Sequence, residues 1–428
     1  MPRNKIFFGW WILATASLTI ACSGVLLYGI PAFYPALVRQ FGWSRAGITF
    51  GHFVTLTTNS VMQIAFGILV DRRGARRVLV LGTLITGAAG LLFRFVNGLD
   101  SYYLACFLLG VGWAGMAYVP TSALVSQWFR RQRGLALGLV TAFSALGGAV
   151  SAPVITYLIL HTGWRNAYTW VGAACVAIPI LPLLTIVREK PQDLGLQPDG
   201  DEVREVLTGD ARASFSSSNQ APDGNGEFVS MIRSYPAVLV LLACLFFLGM
   251  FIGSMVQHLI LYLRGEGFTP YFASAMASLE MIFGIAGRLG FGLTADKISL
   301  RVACFVFFLL LAASSGMVFL VTIVGMVFLF AICLGLGHGA VTAFIPIIFS
   351  TVFPSRHMAK NIALGFTVYA LGVGSGPPLV GWIFDTTGSY FYGFLLNAMI
   401  AIAATIAILS FSLGQPKTAA AAVEAAAG

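Results

Sequence analysis

Long and almost unbroken apolar runs dominate the 428-residue chain, and short clusters of glycine, proline or charged residues separate them. Twelve runs reach about 20 residues or more, the length of a helix that crosses a bilayer. Strands of a membrane barrel would be about ten residues long and would alternate in polarity. We therefore expect an all-α membrane protein with twelve spans, at about 7–36, 47–70, 77–97, 102–127, 134–160, 166–187, 236–263, 271–294, 301–322, 324–349, 361–384 and 389–412.

Composition and charge agree with that prediction. Hydrophobic residues make up 58% of the chain and charged residues only 10%, with a mean hydropathy of +0.87, whereas soluble proteins carry about 25% charged residues. An N-terminus in the cytoplasm puts 19 lysines and arginines on the cytoplasmic side and four on the other. This positive-inside bias predicts that both termini are cytoplasmic. The net charge of +9 then reflects topology, and we expect no nucleic-acid partner.

The start of the chain and its cysteines add little chemistry. Met1–Lys5 leads directly into the first apolar run without a small-residue cleavage site, which predicts a retained first span and not a signal peptide. We recognise no nuclear or organelle signal and expect a plasma membrane, of the bacterial inner-membrane kind. All six cysteines lie inside apolar runs. Their spacing predicts neither a zinc site nor a disulfide framework.

One long polar stretch, 188–235, interrupts the apolar pattern. It holds nine of the 16 acidic residues, and its glycine, serine, aspartate and asparagine content cannot build a core. We interpret it as a flexible cytoplasmic linker between two six-helix bundles, at 1–187 and 236–414. The alanine-rich end, 415–428, predicts a disordered tail.

The two halves of the chain carry the same short motifs. Gly67–Arg72 returns 225 positions later as Gly292–Lys297, and Leu135–Gly138 returns as Ile362–Gly365. Small residues alone can serve helix packing, but here a charged loop motif repeats as well. The repeat predicts two homologous bundles related by a pseudo-two-fold axis, with a substrate path between them.

Three motifs resemble signatures of a known family. Gly67-x-x-x-Asp71-Arg72-x-Gly74-x-Arg76-Arg77 resembles the loop motif of the major facilitator superfamily. Phe8-Gly9-Trp10-Trp11 resembles the first-helix signature of its monocarboxylate transporter branch, and Trp128–Gly138 resembles the motif before that branch's fifth helix. The related oxalate:formate antiporters share the last two motifs. The resemblance implies the major facilitator fold and transport by alternating access.

Arg288 is the main candidate for binding a substrate. It lies about eight residues, roughly 12 Å, before the charged end of the eighth span, and ionisable groups at that depth mark function. A guanidinium matches a carboxylate in bidentate geometry, and the resemblance also implies a substrate-binding arginine in this helix. The alternative is an internal salt bridge. Family members often carry an aspartate one turn earlier, where this chain has Gly284, so the proton carrier stays open.

Glu280 and His338 are the candidates for proton coupling. Glu280 lies eight residues before Arg288, about 12 Å along the helix, so we expect no direct pair between them. A buried carboxyl can take up a co-transported proton; alternatively, Glu280 lies in an outer water vestibule or pairs with Arg94 or Arg264. His338 can couple to a proton, bind the substrate or simply pack. We expect the remaining intramembrane ionisable groups to lie near water; these are Arg94, His52 and His258.

Aromatic and apolar side chains complete the predicted pocket. Tyr28, Tyr118 and Tyr369 can offer hydroxyls, while Leu146 and Phe366 can form apolar walls for a short alkyl chain. Such residues often only pack in a membrane bundle. Tyr118 is favoured among them, because it lies at mid-depth and the resemblance implies that the fourth helix lines the path.

The loop motif predicts a gate on the cytoplasmic side. Asp71 can lie against a helix N-terminus, where the helix dipole favours an anion, and Arg72 and Arg76 can reach neighbouring loops. Asp296 is the counterpart of Asp71 in the second half. Arginines alone would suffice for topology, so the aspartate favours a lock that breaks when this side opens.

The sequence favours secondary transport over other functions. No nucleophile–base pair, metal cluster or phosphate-binding loop is present, so we expect neither an enzyme nor an ATP-driven pump, and no cofactor. Repeated halves argue against a channel, and short outer loops argue against a receptor. We expect proton-coupled symport of a small monocarboxylate such as lactate or pyruvate by a monomer. The alternative is a carboxylate antiporter of the oxalate:formate kind, which should carry a second cation in the eleventh helix; Phe366–Gly372 has none.

Overall fold

The computed structural model describes residues 7–200, 236–352 and 358–413. Twelve of its helices are long and apolar enough to cross a membrane, and the fourth consists of two segments that meet at Ala117. In chain order they are α1 (Gly9–Phe41), α2 (Arg45–Arg73), α3 (Ala75–Arg94), α4 (Leu99–Met116 and Tyr118–Trp128), α5 (Arg133–Thr162), α6 (Trp164–Thr185), α7 (Pro236–Gly265), α8 (Pro270–Lys297), α9 (Leu300–Met317), α10 (Val324–Val352), α11 (Met358–Thr387) and α12 (Phe391–Leu413).

The two halves pack in the same way. In the first half α1 contacts α5, α2 contacts α4, and α3 contacts α4 and α6. In the second half α7 contacts α11, α8 contacts α10, and α9 contacts α10 and α12. Each contact therefore recurs six helices later, as a pseudo-two-fold relation between two six-helix bundles requires. The predicted fold class is confirmed.

Small residues bring the helices together inside each bundle. At the α1–α5 contact, a Cβ on Gly24 would collide with the carbonyl of Ser144, and one on Gly147 would collide with the backbone of Ala21. Between apolar helices in lipid the hydrophobic effect is weak, so close backbone approach and van der Waals contact hold the bundle. The α1 helix has 33 residues and is about 50 Å long, so it extends beyond a hydrocarbon layer of about 30 Å.

The bundles meet through α2 with α11 and through α5 with α8. We call the face that carries the α2–α3 and α4–α5 connections the inner face, and the opposite face the outer face. At the outer face Asp385 of α11 accepts hydrogen bonds from the backbone N–H groups of Arg45 (2.8 Å) and Ala46 (2.9 Å), at the start of α2. The Arg45 guanidinium lies over the rings of Phe384 and Tyr390. We call Asp385 with these four residues the outer latch.

Two further hydrogen-bonded contacts join the bundles in the outer half. The Tyr34 hydroxyl donates to Gln257 (2.9 Å), whose amide nitrogen bonds His52 (3.1 Å). Nearer the middle, the Ser278 hydroxyl donates to the carbonyl of Ala149. Among the described residues, every hydrogen bond between the bundles lies in this half. These bonds hold the cleft between the bundles closed at the outer face, whereas toward the inner face no hydrogen bond joins the two bundles within 7–200, 236–352 and 358–413.

His52 and His258 are not near water, so that prediction is wrong. Their side chains are 2% and 0% exposed, because α2 and α7 run past them well inside the closed half. His258 Nε2 bonds the carbonyl of Pro377 (2.9 Å) and Nδ1 bonds the hydroxyl of Tyr390 (3.1 Å). A carbonyl only accepts, so Nε2 carries the proton and Nδ1 accepts from the tyrosine. Both histidines support the outer contacts.

The first part of the predicted linker is ordered against the first bundle. Pro191–Leu194 and Pro198–Gly200 form two short 3₁₀ turns, while the rest of the linker and the predicted tail lie outside the described residues. Asp199 accepts the backbone N–H groups of Arg130 (2.9 Å) and Arg131 (2.8 Å). Desolvation opposes ionisation of this carboxyl, but these hydrogen bonds prevail, so its pKa is lowered.

Candidate functional site

A break in α4 presents Tyr118 to the cleft. Pro120 has no N–H to give the carbonyl of Met116, and the hydroxyl of Thr121 donates to that carbonyl instead (3.4 Å). The helix is interrupted at Ala117, whose ψ is −136°. Tyr118 follows the break and is 39% exposed. The proline thus explains why an aromatic side chain at mid-depth stays outside the packed bundle.

Glycines hold α8 and α10 unusually close. A Cβ on Gly287 would collide with the backbone of Leu336, and a Cβ on Gly339 would lie 2.7 Å from the backbone nitrogen of Arg288. Gly284, on the same side of α8, is different: its Cβ would meet only a carbonyl oxygen at 3.7 Å. Long side chains of α8 can therefore contact side chains of α10, and two polar pairs form in this way.

Arg288 makes the first of these pairs. Its Nε donates to the hydroxyl of Thr342 (3.0 Å), which in turn donates to the carbonyl of Gly339 (2.7 Å). No hydrogen bond or ion pair from any other described residue reaches the guanidinium, so its two Nη groups have no protein partner there. The side chain is half-buried. The internal salt bridge considered above is absent from the described residues, and the guanidinium fork is available to an anion.

Glu280 and His338 make the second pair. The Glu280 carboxylate lies 2.7 Å from His338 Nδ1, and no ion pair joins it to Arg288 among the described residues. Glu280 is 1% exposed and His338 16%, so the histidine is the more accessible member of the pair. The outer-vestibule alternative for Glu280 is wrong, because the side chain is buried.

The arginine alternatives for Glu280 also fail, because both arginines bond elsewhere. Arg94 donates to the side-chain oxygen of Asn166 (2.9 Å), and Arg264 donates to the carbonyl of Phe268. These bonds lie near the outer ends of their helices, where long basic side chains extend to water. Glu280 therefore keeps His338 as its partner among the described residues.

Two more predicted tyrosines face these pairs. Tyr28 of α1 lies near Tyr118, Arg288 and Glu280. Tyr369 of α11 lies near Tyr28 and near the same arginine and glutamate. The Tyr369 ring is buried, and its hydroxyl has no partner among the described residues. The structure therefore brings together side chains from α1, α4, α8, α10 and α11 around one point of the cleft.

Phe366 lies in the inner half of α11 and is 39% exposed. Three residues later, on the same side of the helix, Tyr369 lies near Tyr28 and Arg288. Phe366 therefore stays a candidate for the apolar wall.

Leu146 lies on the side of α5 that faces away from Tyr28. Two residues later, Gly148 packs directly against the Tyr28 ring, and two residues turn a helix by about 200°. Three residues later, on the same face as Leu146, the carbonyl of Ala149 accepts a hydrogen bond from Ser278 of α8. Leu146 is 46% exposed, and its place in the apolar wall stays a prediction.

Three of the predicted gate residues, Asp71, Arg72 and Asp296, are not engaged in polar contacts with other described residues in this conformation. Asp71 and Asp296 are exposed, and neither makes a hydrogen bond or ion pair within the described part of the chain. The N-terminus of α3 is occupied instead by Glu189, which accepts the N–H groups of Ala75 (3.1 Å) and Arg76 (2.8 Å). The exposed Arg72 has no polar partner among the described residues either.

Sequence reasoning missed Thr342, Glu189 and Asp385. Thr342 follows His338 by four residues, which places both on one face of α10, and this spacing could have identified it. Glu189 and Asp385 lie in polar loops or at helix ends, where an acid is ordinary. Their partners are backbone N–H groups of distant helix N-termini, which leave no sequence signal.

The glycine contact predicts different effects for two alanine substitutions. Gly339→Ala should reduce transport strongly, because its Cβ would separate α10 from α8 and displace both polar pairs. Gly284→Ala should be tolerated, since its Cβ finds ordinary van der Waals space. Initial uptake rates in proteoliposomes, normalised to folded protein, would test this. Equal activity of the two variants would contradict the importance of the close approach.

Comparison with known families agrees with this architecture. The family model described as Major Facilitator Superfamily matches residues 16–372 and 291–427. The chain therefore belongs to the Major Facilitator Superfamily, and it is an integral membrane transporter rather than an enzyme.

Within the superfamily the chain is related to the monocarboxylate transporters. Monocarboxylate transporter 12-B of Danio rerio is 24% identical over 422 residues, which cover 95% of this chain and 87% of that protein. Monocarboxylate transporter 2 of Homo sapiens is 24% identical over 420 residues, which cover 94% and 85%. Monocarboxylate transporter 13 of Bos taurus is 25% identical over 406 residues, which cover 92% and 87%. The predicted relation to this branch is confirmed.

Solved structures share the fold. A bacterial homologue of the human lysosomal transporter Spinster, in an inward-facing and unoccupied conformation, has a TM-score of 0.75 at 14% identity and covers 95% of this chain and 97% of its own. A nucleoside transporter has a TM-score of 0.73 at 12% identity and covers 94% and 99%. At these identities the likeness concerns the fold.

Proposed function

We propose that the protein is a proton-coupled symporter of a small monocarboxylate such as lactate or pyruvate. The observation that supports this most directly is the Arg288 guanidinium, oriented by Thr342 and with its two Nη groups unpaired among the described residues. A half-buried cation inside a membrane span favours a counter-anion. A carboxylate matches its fork, and the related proteins carry monocarboxylate in their names.

The surrounding side chains favour a small organic acid. Tyr28 and Tyr369 lie near Arg288, and Tyr118 lies near Tyr28, so their hydroxyls can bind polar substituents of the substrate. Phe366 offers an apolar surface for a short alkyl group. A pocket bounded by these rings suits a substrate with one carboxylate and a short chain.

The Glu280–His338 pair is the proposed proton carrier. Its carboxyl is almost fully buried, and the histidine connects it to the cleft, so a proton can pass from the cleft to the carboxyl through the ring. Uptake of one proton with one carboxylate anion leaves the net charge of the loaded carrier unchanged. The membrane potential then does not oppose the conformational change of the loaded carrier.

The antiporter remains the second candidate. An exchanger of the oxalate:formate kind would bind a dicarboxylate, for which a second buried cation is expected. The described part of α11 contains no lysine or arginine inside the membrane span Asn361–Thr387. One cation suits one carboxylate, which favours the monocarboxylate.

Alternating access would proceed by exchanging contacts at the two faces. The outer latch holds the outer half closed here, and the inner residues Asp71, Arg72, Arg76 and Asp296 are proposed to close the inner half after it opens. A topology with both termini in the cytoplasm, in a plasma membrane such as the bacterial inner membrane, makes the inner face cytoplasmic. One chain contains both bundles and the whole substrate path between them, so a monomer suffices for transport.

Uptake of labelled lactate into proteoliposomes tests the proposal. The voltage is clamped at zero, and the inward proton gradient is either present or absent. Accumulation only with the gradient is the expected result for a symporter. Exchange with internal carboxylate, without accumulation, would support the antiporter. Transport of neither kind, for lactate or pyruvate, would overturn the monocarboxylate assignment.

The outer latch predicts a shift in conformation. Asp385→Asn should favour opening at the outer face by about tenfold, because it removes the charge that stabilises two hydrogen bonds. Spin labels at the exposed outer positions Asp100 and Glu266 would measure the separation of the bundles. Thr386→Ala is the control, since that hydroxyl bonds only its own helix. Identical distance distributions for the two variants would contradict the latch.

A further inference from the structure

A cavity of about 450 Å³ lies at the inner end of the first bundle, away from the cleft. It is formed between the start of α3 and the end of α6, two helices that pack on each other. It plays no part in the transport site described above. Its lining residues are Arg73, Arg76, Arg77, Val80, Leu184 and Glu189.

The only acid in the lining is already engaged. Both carboxylate oxygens of Glu189 accept backbone N–H groups, from Ala75 and Arg76 at the start of α3. The Arg76 side chain is engaged too, since its guanidinium donates to the carbonyls of Leu183 and Leu184 at the end of α6. These contacts fix the walls of the cavity.

Two arginines in the lining are not engaged. Arg73 and Arg77 are exposed, and no hydrogen bond or ion pair reaches them from the described residues. They lie four residues apart, on either side of the α2–α3 turn at Gly74. With three arginines and one glutamate, the cavity carries an excess of two positive charges. Such a site attracts an anion, and a phosphate fits a pair of guanidinium groups.

The cavity lies where the helices enter the membrane. Exposed leucines continue from the cavity along the solvent-accessible sides of α3 and α6, toward the middle of the bilayer. A soluble anion would not contact this apolar surface. A phospholipid would, because it has acyl chains as well as a charged headgroup. The leucines are Leu81, Leu84, Leu181 and Leu184.

We propose that this cavity binds the headgroup of an anionic phospholipid from the inner leaflet. The phosphate lies between Arg73 and Arg77, and the acyl chains follow the exposed leucines. Basic pockets between membrane helices bind such headgroups on the side where the leaflet is negatively charged. The bound lipid would hold the α2–α3 turn against the end of α6. This site is independent of the transported substrate.

Lipid binding can be measured on the full-length protein without a transport assay. The probes are nanodiscs of phosphatidylcholine with or without phosphatidylglycerol, and the readouts are the unfolding midpoint and the phosphatidylglycerol retained in native mass spectrometry. We expect phosphatidylglycerol to raise the midpoint of the wild type. The double variant Arg73→Gln/Arg77→Gln should bind it about 30-fold more weakly, at roughly fivefold per arginine.

Control variants and soluble phosphates separate the sources of the effect. Arg133→Gln removes an exposed arginine at the inner end of α5, outside the cavity, and should retain the full response. Inorganic phosphate and glycerol phosphate at equal concentration should leave the midpoint unchanged. An equal shift with glycerol phosphate would show a site for a soluble anion and overturn the lipid assignment. An unchanged response in the double variant would overturn the site itself.

Discussion

Arg288→Ala is expected to abolish carboxylate transport while leaving the protein folded. The guanidinium is the proposed partner of the substrate carboxylate, and a charge-assisted pair is worth about 3 kcal/mol, or roughly a 100-fold loss. The fold should survive, because the side chain has only Thr342 as a described hydrogen-bond partner. Uptake of labelled lactate, together with the thermal midpoint of the purified variant, measures both consequences.

Two further variants make this prediction specific. Arg288→Lys keeps the charge but loses the planar fork and the Nε bond, so uptake should fall about tenfold and not recover at higher substrate concentration. Thr342→Val removes only the orienting hydroxyl and should raise KM more than it lowers the maximal rate. Wild-type uptake by Arg288→Ala would eliminate the proposed binding site.

The fold followed from the sequence because its causes are local and repeated. Apolar runs of membrane length define the spans, and the recurrence of Gly67–Arg72 as Gly292–Lys297 predicts the two bundles. Helix ends were less predictable. The span predicted at 7–36 is the helix Gly9–Phe41 in the structure. A helix in the membrane can continue through the interface into water until a turn residue ends it.

The site was predictable in part, since buried ionisable residues are rare in a membrane span. Arg288, Glu280 and His338 stood out for that reason, and the structure brings them to one helix pair. The pairing itself was hidden, because the contact between Glu280 and His338 depends on the glycines that bring α8 and α10 together. Leu146 shows a second limit: its residue type suits a pocket wall, but whether it lines the pocket depends on how α5 is turned between α1 and α8.

The state of the gate was also beyond the sequence. Asp71 and Asp385 are both acids near helix ends, and composition does not distinguish them. Only the structure shows that Asp385 is engaged with the N-terminus of α2 while Asp71 is exposed. A transporter alternates between an arrangement with the outer contacts made and one with the inner contacts made. The same sequence encodes both arrangements, and this structure has the outer contacts made.

Glu280→Gln is expected to uncouple transport from the proton gradient. Glutamine resembles the protonated carboxyl permanently, so the carrier no longer needs a proton to become neutral. With one proton per substrate, the wild type should accumulate lactate about tenfold for each pH unit of gradient. The variant should reach only equal concentrations on both sides, while exchange with internal lactate continues. Proteoliposomes with imposed pH gradients measure both activities.

The matched control for Glu280→Gln is Glu266→Gln, because Glu266 is exposed at the outer end of α7 and lies far from the cleft. It should accumulate lactate like the wild type. His338→Gln should slow proton-driven uptake without removing exchange, since it breaks the path to the carboxyl but leaves Arg288 in place. If Glu280→Gln accumulated lactate as fully as Glu266→Gln, the proton would have to travel on another group, and the coupling assigned to the Glu280–His338 pair would be wrong.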